Sequence, residues 1–222
     1  MAVMLVHEIK HLVLKDIRLE VKQKYAINGI ILYVVSTVFV CYLSFSRIIE
    51  PETWNSLFWI ILLFASVSAV SKSFVQEGRG RQLYYYSIAS SQSVILSKII
   101  YNLLLTAILS LFCFGVFALL MSDVIVNHGI FFTALILGSF GFASILTMVS
   151  AIASRTDNNF TLMAVLSFPL VFPLLITLMS VSKNALGTTT WAANSNVLLV
   201  ILLINTVVVL LSYLLFPYLW RD

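Results

Sequence analysis

KSFVQEGRGRQLYYYSIASSQSVILSK, residues Lys72 to Lys98, is a polar stretch standing between two long apolar runs. Within it Phe74 precedes Glu77, followed by Gly78-Arg79-Gly80-Arg81, the pair Gln82-Leu83 and tyrosines at 84, 85 and 86. Ile95-Leu96-Ser97-Lys98 then leads into the next apolar run. Such a segment is long enough to fold and to dock a partner. The sequence on either side of it is suited to lipid, so the flanks decide the fold.

Hydrophobic residues make up 61% of the 222 and charged residues 10%, against about 45–50% and about 25% in soluble domains. The chain reads as an integral membrane protein. A helix needs about 20 residues to span a bilayer, so 1–222 is a single membrane domain with no room for a sizeable soluble one. Any catalytic engine is expected on another chain.

The charges punctuate the spans. Uncharged stretches run Tyr25–Ser46, Thr53–Ser71, Ile99–Ser122, Val124–Ser154, Asn158–Ser182 and Asn184–Trp220. The fold class is therefore all-α, with six transmembrane helices. The polar start of the last stretch, Gly187 to Asn196, places the sixth span from about Val197. The runs are apolar on every side and do not alternate, which excludes a transmembrane barrel.

With the N-terminus inside, eleven of the thirteen Lys and Arg residues fall on inner segments, and only Arg47 and Lys183 fall outside. The positive-inside rule thus puts both termini in the cytoplasm. Trp54 and Trp191 are expected at the outer interface and Trp220 at the inner one. The net charge of +4 is a topology signal and implies no nucleic acid.

Charges recur every few residues through Lys24, which is unlike a signal peptide. Leu5, Ile9, Val13, Ile17 and Val21 repeat every four residues, with Leu12 beside them, while Lys15, Arg18 and Lys22 point elsewhere. Residues 1–24 thus read as an amphipathic interfacial helix on the inner leaflet. His7 and His11 are four apart, with no third ligand nearby. Cys41 and Cys113 lie in apolar spans and read as small hydrophobes, so no metal site is expected.

Two further features carry candidate function. His128, in the loop Ser122 to Gly129, is the histidine placed on the outer side and the nitrogen side chain there for a haem iron. Pro169 and Pro173, four apart in the fifth span, each remove a backbone donor and predict a kink that acts as a hinge. Gly138, Ser139, Gly141, Ala143 and Ser144 in the fourth span permit close helix contact.

The order of Phe74, Glu77, a Gly-containing turn, Gln82-Leu83 and a Leu-Ser-Lys entry to a helix resembles the first cytoplasmic loop of the CcmB family. That family, haem exporter protein B, is the membrane subunit of an ABC-type complex in cytochrome c maturation. The Pro169-x-x-x-Pro173-Leu-Leu run resembles its fifth helix. Arg81 and Ser90-Ser91 depart from the family loop, which often has an acid before Gln-Leu and a later Pro. The resemblance covers the whole chain and implies an ABC-2-like permease subunit in the bacterial inner membrane. It implies a separate ATPase (CcmA-like), haem-handling partners (CcmC- and CcmD-like), haem delivery to CcmE and two copies of this chain. It also implies haem as the handled ligand, while the apolar anchors, the acid and the Gly-containing turn between Phe74 and Tyr86 make Phe74, Glu77, Gly80 and Leu83 the expected ATPase-docking residues.

Residues alone support part of this. No Gly-x-x-x-x-Gly-Lys-Ser/Thr run exists, so the chain is not the ATPase. The spans carry no Asp, Glu, Lys or Arg, which disfavours an ion-coupled pump. Alternatives are an ABC-2-type exporter permease for a lipid or drug-like substrate and, weakest, an intramembrane enzyme, since no span holds paired carboxylates or a histidine cluster.

Overall fold

Where the chain is apolar on all sides it forms long helices, because in lipid every backbone N–H and C=O must be satisfied within the segment. The computed structural model describes residues 2–22, 24–45, 50–71, 74, 90–121, 124–154 and 159–221. These form α1 (Ala2–Lys22), α2 (Lys24–Ser44), α3 (Pro51–Val70), α4 (Ser91–Met121), α5 (His128–Ala153), α6 (Asn159–Ala185) and α7 (Trp191–Arg221). No strand occurs among the described residues. Helices α3 to α7 are each long and apolar enough to cross a membrane, and α2 contributes a shorter apolar stretch, Asn28–Ser44. The protein is a polytopic all-α membrane protein.

The helix starts follow local chemistry. Pro51 opens α3, where its missing N–H costs nothing. Asn127 caps α5, its side chain accepting from the Ile130 N–H at 3.3 Å. The sixth span begins at Trp191 rather than near Val197. The polar residues that suggested a loop are satisfied inside the helix and against α6. Asn194 donates to the Thr190 carbonyl at 3.1 Å and accepts from Asn184 at 2.8 Å. Ser195 donates to the Ala192 carbonyl at 2.8 Å.

Helix α5 is the hub, packing against α3, α4, α6 and α7. Its small residues explain this. A Cβ on Gly138 would stand 2.8 and 2.9 Å from the Trp59 ring and 3.0 Å from Leu178. One on Gly141 would meet Leu174 and lie 2.6 Å from the Asn205 side-chain oxygen. Side-chain hydrogen bonds add to the close approach. Asn102 of α4 donates to Thr147 at 2.7 Å, Ser139 donates to Ser110 at 2.9 Å, and Asn205 of α7 donates to the Leu137 carbonyl at 2.9 Å. Such bonds within a bilayer contribute about 0.6–2 kcal/mol each.

Helix α1 and the last turns of α7 lie at one end of the bundle, the termini end, where both meet the start of α4. The opposite end is sealed by rings. Trp54 stacks on Phe58 at 5.5 Å, and Phe117 stands edge-on to both at 5.3 Å. Phe131 closes the group 5.5 Å from Phe58. Beside them the Trp59 indole N–H donates to Ser182 at 2.6 Å, and Ser182 donates to Asn55 at 2.7 Å. Trp54, expected at the outer interface, is thus fully buried. An all-round apolar helix does not reveal which of its faces meets the core. Trp191 is half exposed.

Candidate functional site

At the termini end the sequence of α1 sets up a different kind of contact. Glu8, Leu12, Asp16 and Glu20 recur every fourth residue and so share one face of the helix. That face crosses the start of α4, with Glu8 beside Ser90 and Ser93, Asp16 beside Lys98 and Glu20 beside Tyr101. Helix α4 has 31 residues, about 46 Å at 1.5 Å per residue, which exceeds a hydrocarbon core of about 30 Å. Its polar residues Ser91, Gln92, Ser93, Ser97 and Lys98 are gathered at its start, so the excess length belongs to its first turns, and α1 packs there.

Three carboxylates fasten the pair. Glu8 accepts from the Ser93 hydroxyl at 2.6 Å and from the Ser90 hydroxyl at 3.3 Å, at the N-terminus of α4. There the backbone donors and the helix dipole favour an anion. The Ser93 hydrogen bond, with those from Ser90, holds the Glu8 carboxyl below the usual glutamate range. Asp16 pairs with Lys98 at 3.1 Å and with Lys15 at 3.0 Å. The Asp16 and Lys98 side chains are only 5% and 6% exposed. Glu20 accepts from the Tyr101 hydroxyl at 2.9 Å.

The buried ion pair stands beside a small apolar cluster. The Lys98 ammonium lies 5.7 Å from the centroid of the Phe74 ring, within cation–π range. Phe74 in turn packs on Phe216 of α7 at 5.8 Å. Val94, Ile95 and Ile99 of α4 and Ala151 of α5 complete the cluster, with Leu12 of α1 against it. Through it five parts of the chain meet: α1, the segment after α3, α4, α5 and α7. A cavity of about 270 Å³ opens beside it, between Ile95, Met148, Ala151, Leu215, Phe216 and Leu219.

The residues expected to carry function are distributed unevenly around this joint. Phe74 is in its centre and 4% exposed. Glu77, Gly80 and Leu83 lie outside the described residues. Pro169 and Pro173 both lie on the exposed face of α6, which continues as one helix through them. His128 is exposed at the first residue of α5, at the far end of the bundle. His7 and His11 stack at 4.4 Å on the exposed side of α1. Among the described residues no three His, Cys, Asp or Glu side chains come together to hold a metal. Both cysteines are free thiols.

Sequence reasoning missed the acidic stripe and took Lys98 for a charge at the mouth of a span. Lys98 is also buried, countered by Asp16 of α1. The signal was present in the spacing of Glu8, Asp16 and Glu20, which a count of basic residues alone passes over.

Across this arrangement, residues 7–216 match the family model described as CcmB protein. The chain belongs to the CcmB family. Comparison with individually curated proteins finds no match. CcmB is a family of membrane permease subunits. The matched residues take in the whole joint, from Glu8 to Phe216, so the α1–α4 pairing and the Phe74 cluster lie within the family's extent.

Proposed function

We propose that this CcmB chain is the permease-like subunit of an ABC-type haem exporter complex, and that the joint at its termini end receives ATP-driven movement from a partner ATPase. The observation that carries this reading is the position of Phe74. Its ring sits at the meeting point of α1, α4, α5 and α7. A force applied to residues 75–89 reaches four helices through that ring. Phe74 then serves as the anchor of the docking segment, and Glu77, Gly80 and Leu83 serve as its contacts with the ATPase.

On this reading the termini and the docking segment face the cytoplasm, as the Lys and Arg bias indicates, the membrane is the bacterial inner membrane, and two copies of the chain serve two ATPases. CcmC- and CcmD-like proteins handle haem beside it. Haem is substrate, and His128 is the side chain of this chain offered to its iron on the outer face. Pro169 and Pro173 act as a hinge in α6, since each leaves a carbonyl one turn earlier without its helical donor.

The test is the triple substitution Phe74→Ala, Glu77→Ala and Leu83→Ala, with membrane insertion verified. Hot-spot truncations cost about 2 kcal/mol or more each, so ATPase co-purification and c-type cytochrome yield should both fall at least tenfold. Unchanged co-purification would remove the segment from the coupling path.

A further inference from the structure

Helix α1 sorts its charges by face. The three carboxylates turn toward α4, where Ser90, Ser93, Lys98 and Tyr101 hold them. The opposite face is exposed and carries Lys10, Arg18 and Lys22 with His7 and His11, interleaved with Val6, Leu14 and Val21. No acid lies among these exposed residues of α1. The exposed apolar side chains are large fractions bare, Val6 at 65% and Val21 at 61%. In water such a face would be costly, and a purely basic face would have no use for them.

We infer that this outward face of α1 binds the anionic headgroups of phospholipids in the leaflet on the termini side. Two independent features point there. A helix with bases flanking apolar side chains fits the boundary between headgroups and acyl chains. Its location fits as well, because α1 packs on the part of α4 that extends beyond the hydrocarbon, and the next residues enter the first span. The Lys and Arg heads reach phosphate while Val6, Leu14 and Val21 enter the acyl region, and the carboxylates stay out of the way on α4. Anionic lipid thus presses α1 onto α4 and holds the joint together from outside. This does not depend on the proposed function, since it requires only that the protein lies in a bilayer.

The experiment uses the full chain in detergent, titrated with phosphatidylglycerol or with phosphatidylcholine of the same acyl chains, with thermal unfolding as the readout. Phosphatidylglycerol should raise the midpoint and phosphatidylcholine should not. Each basic group near an anionic surface contributes about fivefold in affinity, so Lys10→Gln, Arg18→Gln and Lys22→Gln together should weaken the apparent affinity about a hundredfold. Lys183→Gln, at the other end, should respond like the parent. High salt should abolish the shift in the parent. An equal response of the triple variant to phosphatidylglycerol would overturn the inference. So would a triple variant that keeps its lipid response but loses the ATPase, which would assign the face to a protein.

Discussion

The two ends of this bundle are closed by different physics. Away from the termini, Trp54, Phe58, Phe117 and Phe131 interlock by shape, with hydrogen bonds from Asn55, Trp59 and Ser182 beside them. At the termini, a buried ion pair, hydroxyl hydrogen bonds to two carboxylates and a single ring from a connecting segment do the joining. The ring cluster is held by close interlocking of rigid side chains, so it resists rearrangement. Ionic and hydroxyl contacts can be exchanged for water, headgroups or another protein's side chains. The difference marks one end as a seal and the other as a joint.

The largest effects should come from removing a member of either end, and the way each loss is repaired should separate them. Phe58→Ala leaves a hole worth about 3–5 kcal/mol. Lys98→Met leaves the buried Asp16 carboxylate with only the more exposed Lys15 as counterion, at a cost of up to about 3–5 kcal/mol. Adding Asp16→Leu to Lys98→Met should restore most of the thermal stability, because an apolar pair can replace a buried ion pair. No charge change elsewhere should restore Phe58→Ala. A double variant as unstable as Lys98→Met alone would show that the ion pair is not what holds α1.

A smaller effect is expected from acid. The folded-state pKa of Glu8 is lowered by the Ser93 and Ser90 hydrogen bonds. Its contribution is therefore full above the ordinary glutamate range, near pH 4, and is lost as pH falls through the lowered value. Hydrogen-exchange protection in α1, taken relative to the intrinsic rate at each pH, should fall below that range in the parent. In Glu8→Gln it should already be lower at neutral pH and less dependent on acid. Protection in the ring cluster, which has no titrating member, should not change.

Much of this was legible in the chain. The apolar runs gave the helices and their approximate ends, and the small residues Gly138 and Gly141 marked the helix that others approach. What could not be read was rotation. Helices α3 and α4 are apolar all round, so nothing in their spacing says that Trp54 or Phe117 faces inward. The start of α7 was misplaced because polar residues from Trp191 to Asn196 suggest a turn until Asn184 and Thr189 supply partners. The burial of Lys98 could not be read because its counterion is 82 residues away in sequence. The docking expectation fell partly on the joint, through Phe74, while Asp16, Glu20 and Phe216 emerged only when the helices were brought together.

If the proposed function holds, the termini end moves during the partner's ATP cycle while the ring-sealed end stays in place. Spin labels placed on exposed positions report this directly in the reconstituted complex. One pair joins Leu14 on α1 to Tyr218 on α7, and the other joins Glu52 on α3 to Val126 before α5. Between the nucleotide-free and ATP-bound states, the Leu14–Tyr218 distance distribution should shift beyond its resting width while the Glu52–Val126 distribution stays in place. A fixed Leu14–Tyr218 distance with a moving Glu52–Val126 pair would contradict the account.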